Sequence, residues 1–160
     1  MSELIRVGIS DYAKAKAPNI LVTFALGSCV GICLFDGATK TGGLSHIMLP
    51  DSTQAARNET NRMKFADTAL VDIVRDLKGM GAARLTAKIA GGAQMFSTPG
   101  IGNLGNIGER NVKAVKAALA SLKIPIVAED TGKNYGRTVY FDLSTGVMKV
   151  QSIGKTTVEY

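Results

Sequence analysis

Cysteine is scarce, with two in 160 residues, and two thiols do not make the disulfide framework that staples small secreted domains. Cys29 and Cys33 fall on one strand-like run, where they share a face but not bridging geometry. A reduced, cytoplasmic setting follows. Histidine is scarcer still, since His46 stands alone. One histidine and two cysteines fall short of the four ligands of a structural zinc, and C-x3-C is not a compact zinc spacing, so neither metal nor cofactor is expected. There is no internal repeat, no low-complexity tract, no Arg-rich run and no aromatic-studded basic strand, which argues against nucleic acid as a partner. Acidic residues are the minority: thirteen against nineteen Lys and Arg leave +6, a basic surface suited to an acidic partner. The nineteen residues 17–35 carry no charge, but Asn19, Thr23, Gly27, Ser28 and Gly31 interrupt them. Two short β-rich pieces about a Gly-Ser turn fit better than a membrane span. The leading residues, with Glu3 and Asp11 among them, lack the pattern of a signal peptide.

What is present is ordinary for a globular chain: 46% hydrophobic, 20% charged, with eighteen glycines in clusters. The length suits one domain, residues 1–160, able to bury a core. Residues 4–10, 20–26, 29–35 and 41–49 read as strands punctuated by glycine. Across 59–81 the period changes. Ala66, Leu70, Ile73, Val74 and Leu77 recur at helical spacing, with Gly79 placed for the C-terminal turn. Residues 84–90 form another strand. A second helix is predicted over 106–123, with Asn106 and Glu109 spaced as a capping box and Val112, Val115, Leu119 and Leu122 as its apolar stripe. Three more strands follow at 124–130, 136–143 and 147–153, the last two joined at Ser144-Thr145-Gly146. Two helices cannot cover both faces of a large parallel sheet. The pattern therefore predicts an α+β fold, mostly β, with two packed sheets and both helices on one outer face, and one βαβ-like segment over 84–130.

Strands 29–35 and 41–49 are joined by DGATK, a hairpin signal. With Gly37 and Ala38 at the centre of the turn, Cys29 lies directly across from His46, at the Cβ separation of about 4.5–5.5 Å that lets two side chains touch. That pairing suits thiol chemistry. A free thiol is mostly protonated at neutral pH, and a neighbouring imidazole can take its proton and later protonate a departing amine. The turn Leu26-Gly27-Ser28 before it exposes backbone N–H groups, so Ser28 and Cys29 are candidates to hold an oxyanion. Cys33 reads as a small core residue.

TFALGSCVGICLFD, GGLSHIMLP, KFADTAL, IAGGAQMF, IGERN and GRTVYFDLSTG occur in this order and closely resemble the chemoreceptor glutamine deamidase CheD family, from about Ile5 to Val150. The LGSC motif and the G-G-x-x-H motif are the most specific part. The resemblance implies an α/β/β layered cysteine hydrolase that converts glutamines on the cytoplasmic helices of methyl-accepting chemotaxis receptors to glutamate. It implies a catalytic triad at Cys29, His46 and Thr23, and a partner in the CheC-type phosphatase of the response regulator. In the hairpin reading Thr23 opposes Ile32 and faces away from Cys29, so either the register is bulged or the first strand pairs elsewhere. Ser45 departs from the Asn or Ala usual beside the histidine, a difference expected to bear on substrate fit. Residues 51–61 are expected to be a mobile polar loop beside the site.

Two rival readings remain. Gly100 to Gly105 match G-x-G-x-x-G ahead of a helix, the outline of a nucleotide-binding turn. Nine residues separate that run from the strand whose end it should cap. The other rival is a non-catalytic module that only binds a partner.

Overall fold

The computed structural model describes residues 2–95 and 106–160. The strands, in chain order, are Leu4–Arg6 (β1), Asp11–Lys16 (β2), Ile20–Leu26 (β3), Val30–Asp36 (β4), Thr41–Ile47 (β5), Thr86–Gly91 (β6), Ile126–Thr131 (β7), Arg137–Asp142 (β8), Val147–Ser152 (β9) and Val158–Glu159 (β10). The helices are Ala66–Gly79 (α1) and Ile107–Ser121 (α2). Two five-stranded sheets form, in the orders β1-β3-β8-β9-β10 and β2-β5-β4-β6-β7. One apolar cluster, with Leu21, Leu26, Cys33, Leu44, Phe141 and Val150, fills the space between the sheets. A second, with Ile32, Leu34, Ile47, Leu70, Ile73, Leu77, Val115 and Leu119, lies between the second sheet and both helices. The layers are therefore helix, sheet, sheet: the expected α+β, α/β/β sandwich with both helices on one outer face.

The central layer explains why β4 and β5 are almost wholly buried. Alternate residues feed opposite cores, so such strands read as continuous apolar runs. The 84–130 segment is a parallel unit, β6 pairing β7 across α2.

Four details differ from the sequence reading. Strand β2 was not predicted; DYAKAK alternates charge with alanine and sits on a sheet edge, where lysines discourage further pairing. The short β10 was also absent from the reading. Gly81, not Gly79, takes the left-handed turn after α1 (φ +102°), and Ala82 N–H reaches Leu77 O at 3.1 Å in the matching cap bond. Asn106 makes no side-chain cap bond to α2, so the capping box does not form. The polar segment 51–61 is anchored near its ends: Ser52 donates from both its amide (3.0 Å) and its hydroxyl (2.6 Å) to the Asp67 carboxylate on α1, and Asn61 Nδ2 donates to Ser10 O at 3.0 Å.

Candidate active site

The chain crosses from one sheet to the other at Gly27-Ser28. Strand β3 pairs with β1 and β8, its register shifting between Thr23 and Leu26, and Ala25 adopts φ +58° there. Strand β4 belongs to the second sheet. Thr23 is therefore not the hairpin partner of Ile32. It lies in the opposing sheet, on the inward face it shares with Leu21.

The hairpin register also differs. Asp36 pairs Thr41, so four residues make the turn, and His46 faces Gly31 rather than Cys29. The displacement is even, and an even displacement keeps every side chain on its face. Cys29, Gly31, Cys33, Leu44 and His46 all point into the space between the sheets. Cys29 becomes the diagonal neighbour of His46, a separation of about 7–8 Å between such positions. Gly31 leaves the room opposite the imidazole that Thr23 and Leu26 use: a Cβ there would lie 3.1 Å from Leu26 Cδ1 and 3.6 Å from Thr23 Cγ2.

Thr23 and His46 meet across the two sheets, Oγ1 to Nδ1 at 2.7 Å. The same hydroxyl donates to Val7 O at 2.8 Å. A hydroxyl has one hydrogen. With that hydrogen on Val7 O, the oxygen accepts from Nδ1–H, which leaves the lone pair on Nε2. Nε2 is buried and has no hydrogen-bond partner among the described residues. A base nitrogen is thus aimed by the far side of its ring, the arrangement in which a partner at one nitrogen fixes the tautomer at the other. Sγ of Cys29 makes no hydrogen bond to it in this resting arrangement; such contacts commonly tighten only with substrate in place.

Burial sets both acidities. His46 is fully buried, and loss of solvent lowers its pKa from 6.5 to about 4, so the imidazole is neutral at pH 7. Cys29 is half-buried and its thiol is pushed up by burial, with its own backbone N–H pulling the other way. Cys33, fully buried, is pushed much further up and is inert as a nucleophile.

The histidine has a consequence for stability. The unfolded chain binds a proton near pH 6.5 and the folded one only near 4. The burial of neutral His46 therefore contributes fully above 6.5 and is lost as pH falls through that window, by about 3 kcal/mol. Urea midpoints should drop between pH 6.5 and 4 in the wild type, and less steeply in His46→Ala. Superimposable profiles would contradict the buried, neutral assignment.

The backbone beside the cysteine is held on both sides. Gly92 N–H donates to Cys29 O at 2.8 Å and Ala93 N–H to Gly27 O at 2.9 Å. Gly91 (φ +111°) makes this approach possible, because a Cβ there would collide with Cys29 O. Asn111 on α2, fully buried, donates from Nδ2 to Ser28 O (2.9 Å) and Met48 O (3.0 Å). The sequence reading missed Asn111, although a polar residue four before Val115 on the apolar stripe was a legible signal. It also missed Val7 as the acceptor behind Thr23. Ser45 does not border the site. It pairs Ile32 on the helix side of the sheet and its hydroxyl is buried, so its expected effect on substrate fit does not follow.

A cavity of about 530 Å³ beside the start of α2 is lined by Gly92, Gln94, Lys113, Lys116 and Lys133, among others, and includes neither Cys29 nor His46. The glycine run 100–105 lies outside the described residues. The strand before it ends at Gly91, which leaves an eight-residue gap to Gly100 and still weakens the nucleotide reading. No helix among the described residues is long and apolar enough to cross a membrane.

Fold and site together define an α/β/β sandwich with a half-exposed thiol beside a hydroxyl-oriented imidazole. The family model described as CheD chemotactic sensory transduction matches residues 48–152, a span that begins just after the histidine. Relatives cover the site as well. A protein from Moorella thermoacetica named probable chemoreceptor glutamine deamidase CheD is 53% identical over 154 residues, 94% of this chain and 92% of its own. Proteins of the same name from Syntrophomonas wolfei and Lachnoclostridium phytofermentans are 51% and 50% identical, over 96% and 97% of both chains. The chain belongs to the CheD family.

Proposed function

We propose that this protein is a thiol-dependent deamidase that converts glutamine side chains of chemoreceptors to glutamate, with Cys29 as nucleophile, His46 as base and Thr23 behind it. The observation that carries the reading is the Thr23–His46 pair, which leaves a buried Nε2, unpartnered among the described residues, on the face shared with Cys29. The names of the relatives supply the substrate class.

Nε2 takes the Cys29 proton as Sγ adds to the carboxamide carbon, and charge develops on the amide oxygen beside the N–H of Cys29. The imidazolium gives its proton to the nitrogen, the C–N bond breaks and ammonia leaves a thioester. Nε2 then takes a proton from water, whose oxygen adds to the thioester. The S–C bond breaks, the imidazolium returns its proton to sulfur, and the new carboxylic acid ionises to glutamate by losing its proton to water. Desolvation favours the neutral thiol and neutral imidazole at rest, so proton transfer belongs to the attack itself.

A helix is a broad substrate. The rim carries exposed Met48, two beyond His46, and exposed Met95, which packs on Gly27. Methionines adapt well to partner surfaces. The +6 charge suits acidic helices, and raising the ionic strength, which shortens the Debye length, should weaken turnover. The proposal implies a cytoplasmic protein, and the resemblance extends it to a CheC-type phosphatase partner. Incubation with a cytoplasmic receptor fragment, read by mass spectrometry, should show amide-to-acid exchange at glutamines. An unaltered fragment across several receptors, with the phosphatase still bound, would favour the partner-only module instead.

Thr23→Val keeps the shape but removes the acceptor for Nδ1–H and the donor to Val7 O. Turnover should fall about ten- to hundredfold, with stability lower by about 1–3 kcal/mol, while Thr23→Ser retains most of both. Equal turnover in the valine variant would show that the hydroxyl does not orient the ring.

A further inference from the structure

The peptide between Ser28 and Cys29 is gripped at its oxygen. Asn111 Nδ2 places one hydrogen on Ser28 O and the other on Met48 O. Two carbonyl acceptors fix which end of the amide faces them, because only the nitrogen end donates. The described chain has one cis bond, Ala17-Pro18, so this peptide is trans and its N–H points opposite to its C=O. With the carbonyl turned toward α2, the Cys29 N–H is turned away from α2, onto the side of its own sulfur. Gly92 N–H on Cys29 O prevents the next peptide from compensating by rotation. The second hydrogen reaches the strand end that carries His46, so one side chain sets the nucleophile turn against the base.

Building on the deamidase reading, we infer that Asn111 is a positioning residue: by holding the Ser28 carbonyl it aims the Cys29 N–H at the amide oxygen that becomes negative when sulfur adds. It touches neither substrate nor the reacting atoms. An aimed donor stabilises the transition state only in reactions that generate an oxyanion. That distinction separates positioning from general support of the fold.

The test compares two reactions of the same sulfur in Asn111→Ala and Asn111→Asp, after thermal melting has shown that each is folded. Deamidation of a glutamine-containing receptor fragment passes through an oxyanion; alkylation by iodoacetamide does not. The expected result is a kcat for deamidation about ten- to hundredfold lower at similar KM, with alkylation of Cys29 within about twofold of wild type. A parallel fall in both rates, or unchanged deamidation, overturns the inference. A second measurement needs no variant. In a wild-type adduct with a glutamine-derived peptide aldehyde, the former aldehyde oxygen should accept from Cys29 N–H while Asn111 still holds Ser28 O; an oxygen turned elsewhere overturns it equally. Failure of the underlying reading looks different: wild type would then leave the fragment unaltered, or Cys29→Ala would still deamidate it.

Discussion

Cys29→Ala should lose glutamine conversion by about 10⁴-fold or more while keeping its fold. The thiol is half-buried at the margin of the inter-sheet core, so shortening it leaves no large void. No other sulfur substitutes. Cys33 lies on the same face but is buried, with its acidity suppressed by desolvation. Mass spectrometry of a receptor fragment gives the activity, and a melting curve close to wild type establishes that the loss is chemical. Retained conversion would mean that sulfur is not the nucleophile.

His46→Ala should cost about 10³–10⁴-fold in turnover, for a different reason. The cysteine remains, but its proton has no acceptor, and burial already holds the thiol above its ordinary pKa. The substitution also opens a hole beside Thr23, whose hydroxyl keeps its bond to Val7 O. Activity that recovers as pH climbs toward the thiol's own raised pKa would identify the missing function as proton removal. A loss that does not respond to pH would assign the histidine to packing instead.

The layered fold was legible because its signals are local: glycine-punctuated β runs, a change of period at Ala66, and a polar stretch before each helix. The facing of Cys29 and His46 was legible for the same reason. Its exact register was not, because the DGATK turn takes four residues, with Lys40 at φ +52°, where two were expected. The error was even and left both side chains on the correct face. Thr23 could not be placed from local pattern. Its strand pairs with β8, more than a hundred residues later, and nothing in TFALGSC announces that the chain changes sheets at Gly27. Asn111 stands out as a polar residue on the apolar stripe of α2, but its partners at Ser28 and Met48 required knowing that α2 packs over the end of β4, a tertiary fact. Strand β2 was missed because DYAKAK has weak β-propensity and owes its state to pairing with β5.

The proposed chemistry turns on a proton passing from Cys29 to Nε2 of His46 as carbon is attacked. Acid-quenched single-turnover mixtures with a receptor fragment, mapped by mass spectrometry, examine that step without relying on steady-state rates. Wild type should carry a transient acyl adduct on the peptide containing Cys29, and His46→Ala should carry almost none at neutral pH. An adduct forming equally fast in both, or mapping to another residue, would contradict the account.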